Sequence, residues 1–205
     1  MKKTLKNFKL TTLGACLTVA LTTGALSTAV VAANNSDEVS VVQAAKVSLK
    51  QAVATASKEA AGSLVSAELD DNDSDAQNGN SVYELEFSND TTSYEIKVDA
   101  MTGEIVTSET EQLDKEDIDD YKVQQQAKIS MTDAIDIAEK QTNGHTLEIE
   151  FESDDDKMDH PTYYEVKVLK DNQIFELNID AETGTVFENS IDDIDATPDM
   201  TAVEL

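Results

Sequence analysis

An α+β fold built from two tandem copies of one small unit is predicted by three observations: a repeat at nearly constant offset, a short amphipathic helix opening each copy, and period-two strands after it. Ala45-Lys46-Val47-Ser48-Leu49 recurs as Ala127-Lys128-Ile129-Ser130-Met131, and Ala52, Val53 and Ala56 recur as Ala134, Ile135 and Ala138, at an offset of 82. Tyr94 to Ile105 recurs as Phe175 to Val186 at an offset of 81, so one residue is lost from an intervening loop. A duplicated unit of this size is the first thing to establish, because it governs every later assignment. Each copy reads as one helix packed on a three- to four-stranded antiparallel sheet.

The helix of each copy begins where Ser48 and Ser130 can cap orphan amides, with Gln51 and Asp133 three residues on. Its apolar side is Leu49, Ala52, Val53, Ala56 in the first copy and Met131, Ala134, Ile135, Ala138 in the second, spaced three and four apart. Gly62 and Gly144 are expected to supply the left-handed residue that ends the helix. Val65, Ala67, Leu69 then alternate with polar residues, as do Leu147, Ile149, Phe151. Tyr83, Leu85, Phe87 match Tyr164, Val166, Val168, and Tyr94, Ile96, Val98 match Phe175, Leu177, Ile179. An Asp-Ala-x-Thr-Gly corner, carrying Asp99 and Gly103 or Asp180 and Gly184, reverses each chain into a short fourth strand at 104–106 and 185–187.

These elements divide the chain into residues 1–33, an export signal; 34–44, a linker; 45–108, the first repeat; 109–126, an acidic linker without apolar alternation; 127–190, the second repeat; and 191–205, an acidic tail. A unit of about 65 residues is marginal alone, so the copies are expected to pack together or join sheets. Lys2, Lys3, Lys6 and Lys9 precede an uncharged run from Leu10 to Ala33 that ends in small residues, the layout of a cleaved secretory signal. Two rival readings are an uncleaved anchor, which the many Thr and Gly residues disfavour, and a lipoprotein modified at Cys16 within Leu13-Gly14-Ala15-Cys16, which the apolar run continuing past Cys16 disfavours.

Residues 1–33 hold four of the 15 Lys and none of the 42 acids, so the remainder carries a formal charge of −31. Such a surface repels nucleic acid and anionic lipid and attracts cations and basic protein patches. No Arg is present to grip phosphate in a bidentate manner. Cys16 is the one cysteine and leaves with the signal, which excludes disulfides and thiolate metal sites from the mature chain.

No catalytic constellation stands out. His145 and His160 lack metal-ligand spacing or a nucleophile with an orienting base. Asp71, Asp73 and Asp75 alternate like calcium-loop ligands, yet Ala76 and Val82 occupy the positions that need Gly and Glu, so an EF-hand is excluded and weak cation association remains. Other acid runs, such as Asp154-Asp155-Asp156, read as solvated loops. Tyr163 falls off the inward register of Tyr164, Val166 and Val168 and is nominated as partner-facing.

The chain resembles the PepSY family, whose repeats open on an Ala-rich helix and close on a strand of the form Tyr-x-Val-x-Val-Asp-x-x-Thr-Gly-x-Val. Tyr94 to Ile105 and Phe175 to Val186 carry that closure, and Gly62 and Gly144 follow the helices. The resemblance implies a domain found in propeptides of secreted metallopeptidases, without catalytic residues or cofactor. It suggests an exported binding or regulatory module whose partner is another exported or envelope protein, with a secreted peptidase controlled in trans as one candidate. An acidic calcium-binding or envelope-surface protein is the alternative.

Overall fold

A computed structural model of the chain describes residues 2–4, 44–70, 81–154 and 156–191. Asp71, Asp73, Asp75, Cys16 and nearly all of the expected signal, linker and tail lie outside the described residues. The strands are β1 (Lys2–Thr4), β2 (Ser63–Asp70), β3 (Val82–Ser88), β4 (Thr92–Asp99), β5 (Ile105–Gln112), β6 (His145–Asp154), β7 (Thr162–Lys170), β8 (Gln173–Asp180) and β9 (Val186–Ile191). The helices are α1 (Leu49–Ala56), α2 (Lys115–Gln124) and α3 (Met131–Thr142). No described helix is long and apolar enough to cross a membrane.

The α+β class holds, but the strands form one continuous antiparallel sheet rather than two small ones. Its order is β5-β4-β3-β2-β6-β7-β8-β9, with β1 against β6 off that path. The repeats join through their first strands, Ser66, Ala67 and Glu68 lying opposite Glu150, Ile149 and Glu148. Joining edges in this way leaves each unit with one fewer open ladder and merges their apolar faces. A single core results: Leu49, Ala52, Val53 and Ala56 of α1 and Met131, Ala134, Ile135 and Ala138 of α3 share it with Ala67, Leu85, Ile96, Ile149, Val166 and Leu177 of the sheet. Lys50 of α1 reaches across to Asp136 and Glu139 of α3, so the two helices lie side by side.

Both helices start on capping boxes. The Gln51 N–H donates to Ser48 Oγ while the Ser48 N–H donates to Gln51 Oε1 at 2.9 Å, and Ser130 and Asp133 repeat the exchange. The helix ends differ from expectation. The left-handed residue closing α3 is Asn143, at φ 59°, and α1 closes on Ser57 in a right-handed conformation. Gly62 and Gly144 are needed for another reason, which is space: a Cβ on Gly62 would stand 2.0 Å from the Ser88 carbonyl oxygen, and one on Gly144 would stand 2.6 Å from that of Leu169.

Two further expectations change. Residues 109–126 are not a plain linker, since β5 runs on to Gln112 and α2 follows, capped by Asp114 and Asp117. That helix buries only Tyr121 and Gln124, too little to mark an apolar stripe. Val65 and Leu147 fall outside the main core because β2 and β6 each carry a bulge there, between Leu64 and Ser66 and between Thr146 and Glu148. A bulge inserts one residue and reverses the alternation behind it, which brings Leu64 into the core. Leu147 joins Leu169 and Ile174 in a separate small cluster.

Candidate interaction surface

The Asp-Ala-x-Thr-Gly corner binds each helix to its sheet. The Ala100 carbonyl accepts from the Lys46 and Val47 N–H groups, and the Ala181 carbonyl from those of Lys128 and Ile129. Tyr83 and Tyr164 add a hydroxyl donated to the carbonyls of Val47 and Ile129, at 2.7 and 2.5 Å. Burial pushes both phenols up to about 12. Asp99 Oδ1 accepts from the backbones of Met101 and Thr102, and Asp180 Oδ1 from those of Glu182 and Thr183. Gly103 and Gly184 complete the corners at φ 74° and 71°, the left-handed region that a side chain disfavours. These residues are architecture, and they explain why the sequence repeats most faithfully here.

The second corner carries more. Asp180 Oδ1 also accepts from the Thr183 hydroxyl at 2.7 Å, and Oδ2 lies 2.8 Å from His160 Nδ1. Burial alone would raise this carboxyl, but the Thr183 and His160 hydrogen bonds outweigh it and hold it below the usual range. Its contribution is therefore present above the ordinary carboxylate range and is lost as pH falls through the lowered value. Asp180→Ala is expected to destabilise by about 2–4 kcal/mol at neutral pH, with Asp99→Ala costing less because the bonds from the Thr183 hydroxyl and from His160 are particular to the second corner. Urea unfolding of both variants checks the order, and equal losses would contradict it.

His160 stacks on Phe187 at 4.1 Å between ring centroids, while His145 is exposed at the start of β6. Among the described residues, no group of three or more His, Cys, Asp or Glu could hold a metal ion. Tyr163 does leave the core face, as its register requires, but it is 0 % exposed, so its nomination as partner-facing is corrected. Phe187 packs edge-on at 5.6 Å and Lys157 Nζ stands 4.4 Å over its ring. The Tyr163 hydroxyl has no hydrogen-bond partner, and burial, followed by the nearby Glu152, pushes it upward.

The feature that sequence reasoning missed lies on the sheet face opposite the core. Read across the strands, one row runs Lys97, Glu84, Glu68, Glu148, Lys167, Glu176. The adjacent row runs Glu109, Glu95, Glu86, Ser66, Glu150, Glu165, Asn178, Glu188, with no cation in it. The first crosses the junction between the repeats as Glu84, Glu68 and Glu148, and the second crosses it at Ser66. Lys97 and Lys167 pair with Glu84 at 2.8 Å and Glu148 at 2.7 Å, which leaves Glu68 between two carboxylates already paired. Burial, then Glu148, Glu84, Glu150 and Asp70, push the Glu68 carboxyl up to about 8.

Towards β5 the same face hollows into a cavity of about 280 Å³, lined by Glu86, Ser93, Glu95, Glu109 to Asp114 and Asp117. Ser93 donates to Glu86 Oε1 at 2.6 Å, yet burial dominates and pushes that carboxyl up to about 7. Asp117 is raised as well, first by burial. Opposed like charges destabilise a sheet, so the rows cost stability that a pairing surface of opposite sign would return.

No curated protein matches the chain. Among solved structures, it is similar to a crystal structure described as a "putative lipoprotein" from Clostridium difficile 630, at 24% identity and a TM-score of 0.43, covering 74% of this chain and 97% of that one. A family model described as "Peptidase propeptide and YPEB domain" matches residues 46–109 and again residues 128–189. Those two matches take in α1 and α3, both corners and most of the joined sheet, and the chain therefore belongs to the PepSY family, whose domain it carries twice in tandem.

Proposed function

We propose that the chain is an exported, non-catalytic regulatory module that binds another exported or envelope protein through the acidic side of its joined sheet. PepSY domains are non-catalytic regulatory modules, and the chain carries two of them. The observation that carries the reading is the acidic outer face, where Glu84, Glu68 and Glu148 run across the repeat junction and Glu109, Glu95, Glu86, Glu150, Glu165 and Glu188 flank it on both sides. A surface of that sign favours a basic partner and speeds encounter with it. Control of a secreted peptidase in trans is the finer form of the reading, supported by the family's occurrence in peptidase propeptides. Export is supported by the basic head and uncharged run of residues 1–33.

Crosslinking in the native envelope, followed by identification of what is attached, tests it. The expected result is repeated recovery of a protein with a basic patch, lost when Glu95 and Glu165 are both changed to Lys. Repeated recovery of no protein would remove the reading, and recovery of a peptidase whose activity is unchanged by the chain would remove its finer form.

A further inference from the structure

The sheet has a step at its centre. β6 extends to Asp154, but β2 accompanies it only where Ser66 to Glu68 face Glu148 to Glu150. Past Ser66, β2 bulges, and the Leu64 carbonyl accepts instead from the Gln124 side-chain amide at 2.9 Å. The stretch Glu152 to Asp154 is thus abandoned by β2. Its backbone direction follows from the alternation of an antiparallel ladder: Asp154 donates its N–H to Pro161 on the β7 side, so Ser153 turns its N–H and C=O to the step.

A strand already sits there. β1 pairs antiparallel with this stretch, Lys2 opposite Asp154, Lys3 opposite Ser153 and Thr4 opposite Glu152. By register and sequence, a segment with two lysines is paired with one that carries Glu152 and Asp154. The same residues form the basic head of the expected signal, whose removal takes β1 away. The described residues of the main cluster lie from Ala45 onward.

We propose that in the mature chain this step is a strand-addition site for an extended, lysine-bearing segment of another exported protein. The leader residues Lys2–Thr4 are its occupant before cleavage. Main-chain bonds from Ser153 supply the hold, and the acidic neighbours select the sign of the guest. The proposal rests on the binding-module reading and adds a second point of contact, at the open edge of β6, to the acidic face.

The probe is a fluorescent peptide of residues 1–9, titrated against chain 34–205 and against the full chain. Saturable binding to chain 34–205 is expected, weakened about tenfold in the full chain, where β1 competes in cis. A peptide of equal charge with proline at alternate positions should bind about tenfold more weakly, since it cannot complete a ladder, and Ser153→Pro should produce a similar loss. Amide exchange in unsubstituted chain 34–205 should slow at Ser153 on adding the peptide, a readout that needs no variant. No binding, equal binding of the proline peptide, or protection confined to other strands would each overturn the site. A crosslinked partner whose footprint avoids β6 would overturn it too while leaving the binding-module reading intact.

Discussion

Gly62→Ala is expected to destabilise the chain by about 3 kcal/mol or more, because it combines a forbidden conformation with a backbone collision. Gly62 sits at φ 136°, and its new Cβ would stand 2.0 Å from the Ser88 oxygen and 2.5 Å from the Ser88 carbonyl carbon. Both obstacles are backbone in the β2–β3 pair, so no side-chain rotation relieves them. Relief requires β2 to move away from β3, and β2 is also the strand that joins the repeats. Gly103→Ala is the natural comparison. At φ 74° it meets only the Val47 side chain, at 3.3 Å, and should cost about 1–2 kcal/mol, the left-handed penalty alone. Against a total stability of about 5–15 kcal/mol, the first substitution brings the fold near its limit and the second does not. Urea midpoints of the two variants decide the matter. If Gly62→Ala cost no more than Gly103→Ala, the contact with Ser88 would not be the reason for that glycine.

Much of this architecture is legible in the sequence, and the rest fails for identifiable reasons. The offset between Ala45 and Ala127 and the faces of α1 and α3 are written in apolar spacing, which burial enforces directly. Val65 and Leu147 mislead because a bulge is a backbone event with no residue type of its own. Residues of α2 are polar almost throughout, and its capping pair Asp114 and Asp117 resembles any acid-rich linker. The parity of Tyr163 is readable, but what covers it is not, since Phe187 and Lys157 arrive from distant segments. The glutamate rows need the register between β2 and β6, a long-range pairing to which no local pattern points. Once that register is known, alternating acids along single strands become neighbouring acids across both repeats.

Those acids make a second large effect expected, in the pH dependence of stability. Glu68 lies opposite Glu84 on one side and Glu148 on the other, with Glu86 and Glu150 in the next row and Asp70 on its own strand. Lys97 and Lys167 are engaged with Glu84 and Glu148, so neither cation is centred on it. Its carboxyl is pushed from an ordinary 4.5 up to about 8, by burial first and the surrounding acids second. A raised carboxyl means that the folded chain holds a proton the unfolded chain has released. Stability therefore falls as pH rises from about 4.5 to about 8 and levels off above that, the opposite sense to Asp180. Glu68→Gln keeps the shape and removes the charge. It is expected to match the parent chain near pH 4.5 and to exceed it by about 1–3 kcal/mol above pH 8. Some slope should remain in that variant, because Glu86, raised to about 7, titrates within the same window. The double variant Glu68→Gln with Glu86→Gln should be flatter still. Denaturant unfolding at several pH values checks both. A Glu68→Gln curve parallel to the parent's from pH 4.5 to 8 would mean that the junction tolerates an ionised Glu68, and that the strands there are held apart or solvated more than their register implies.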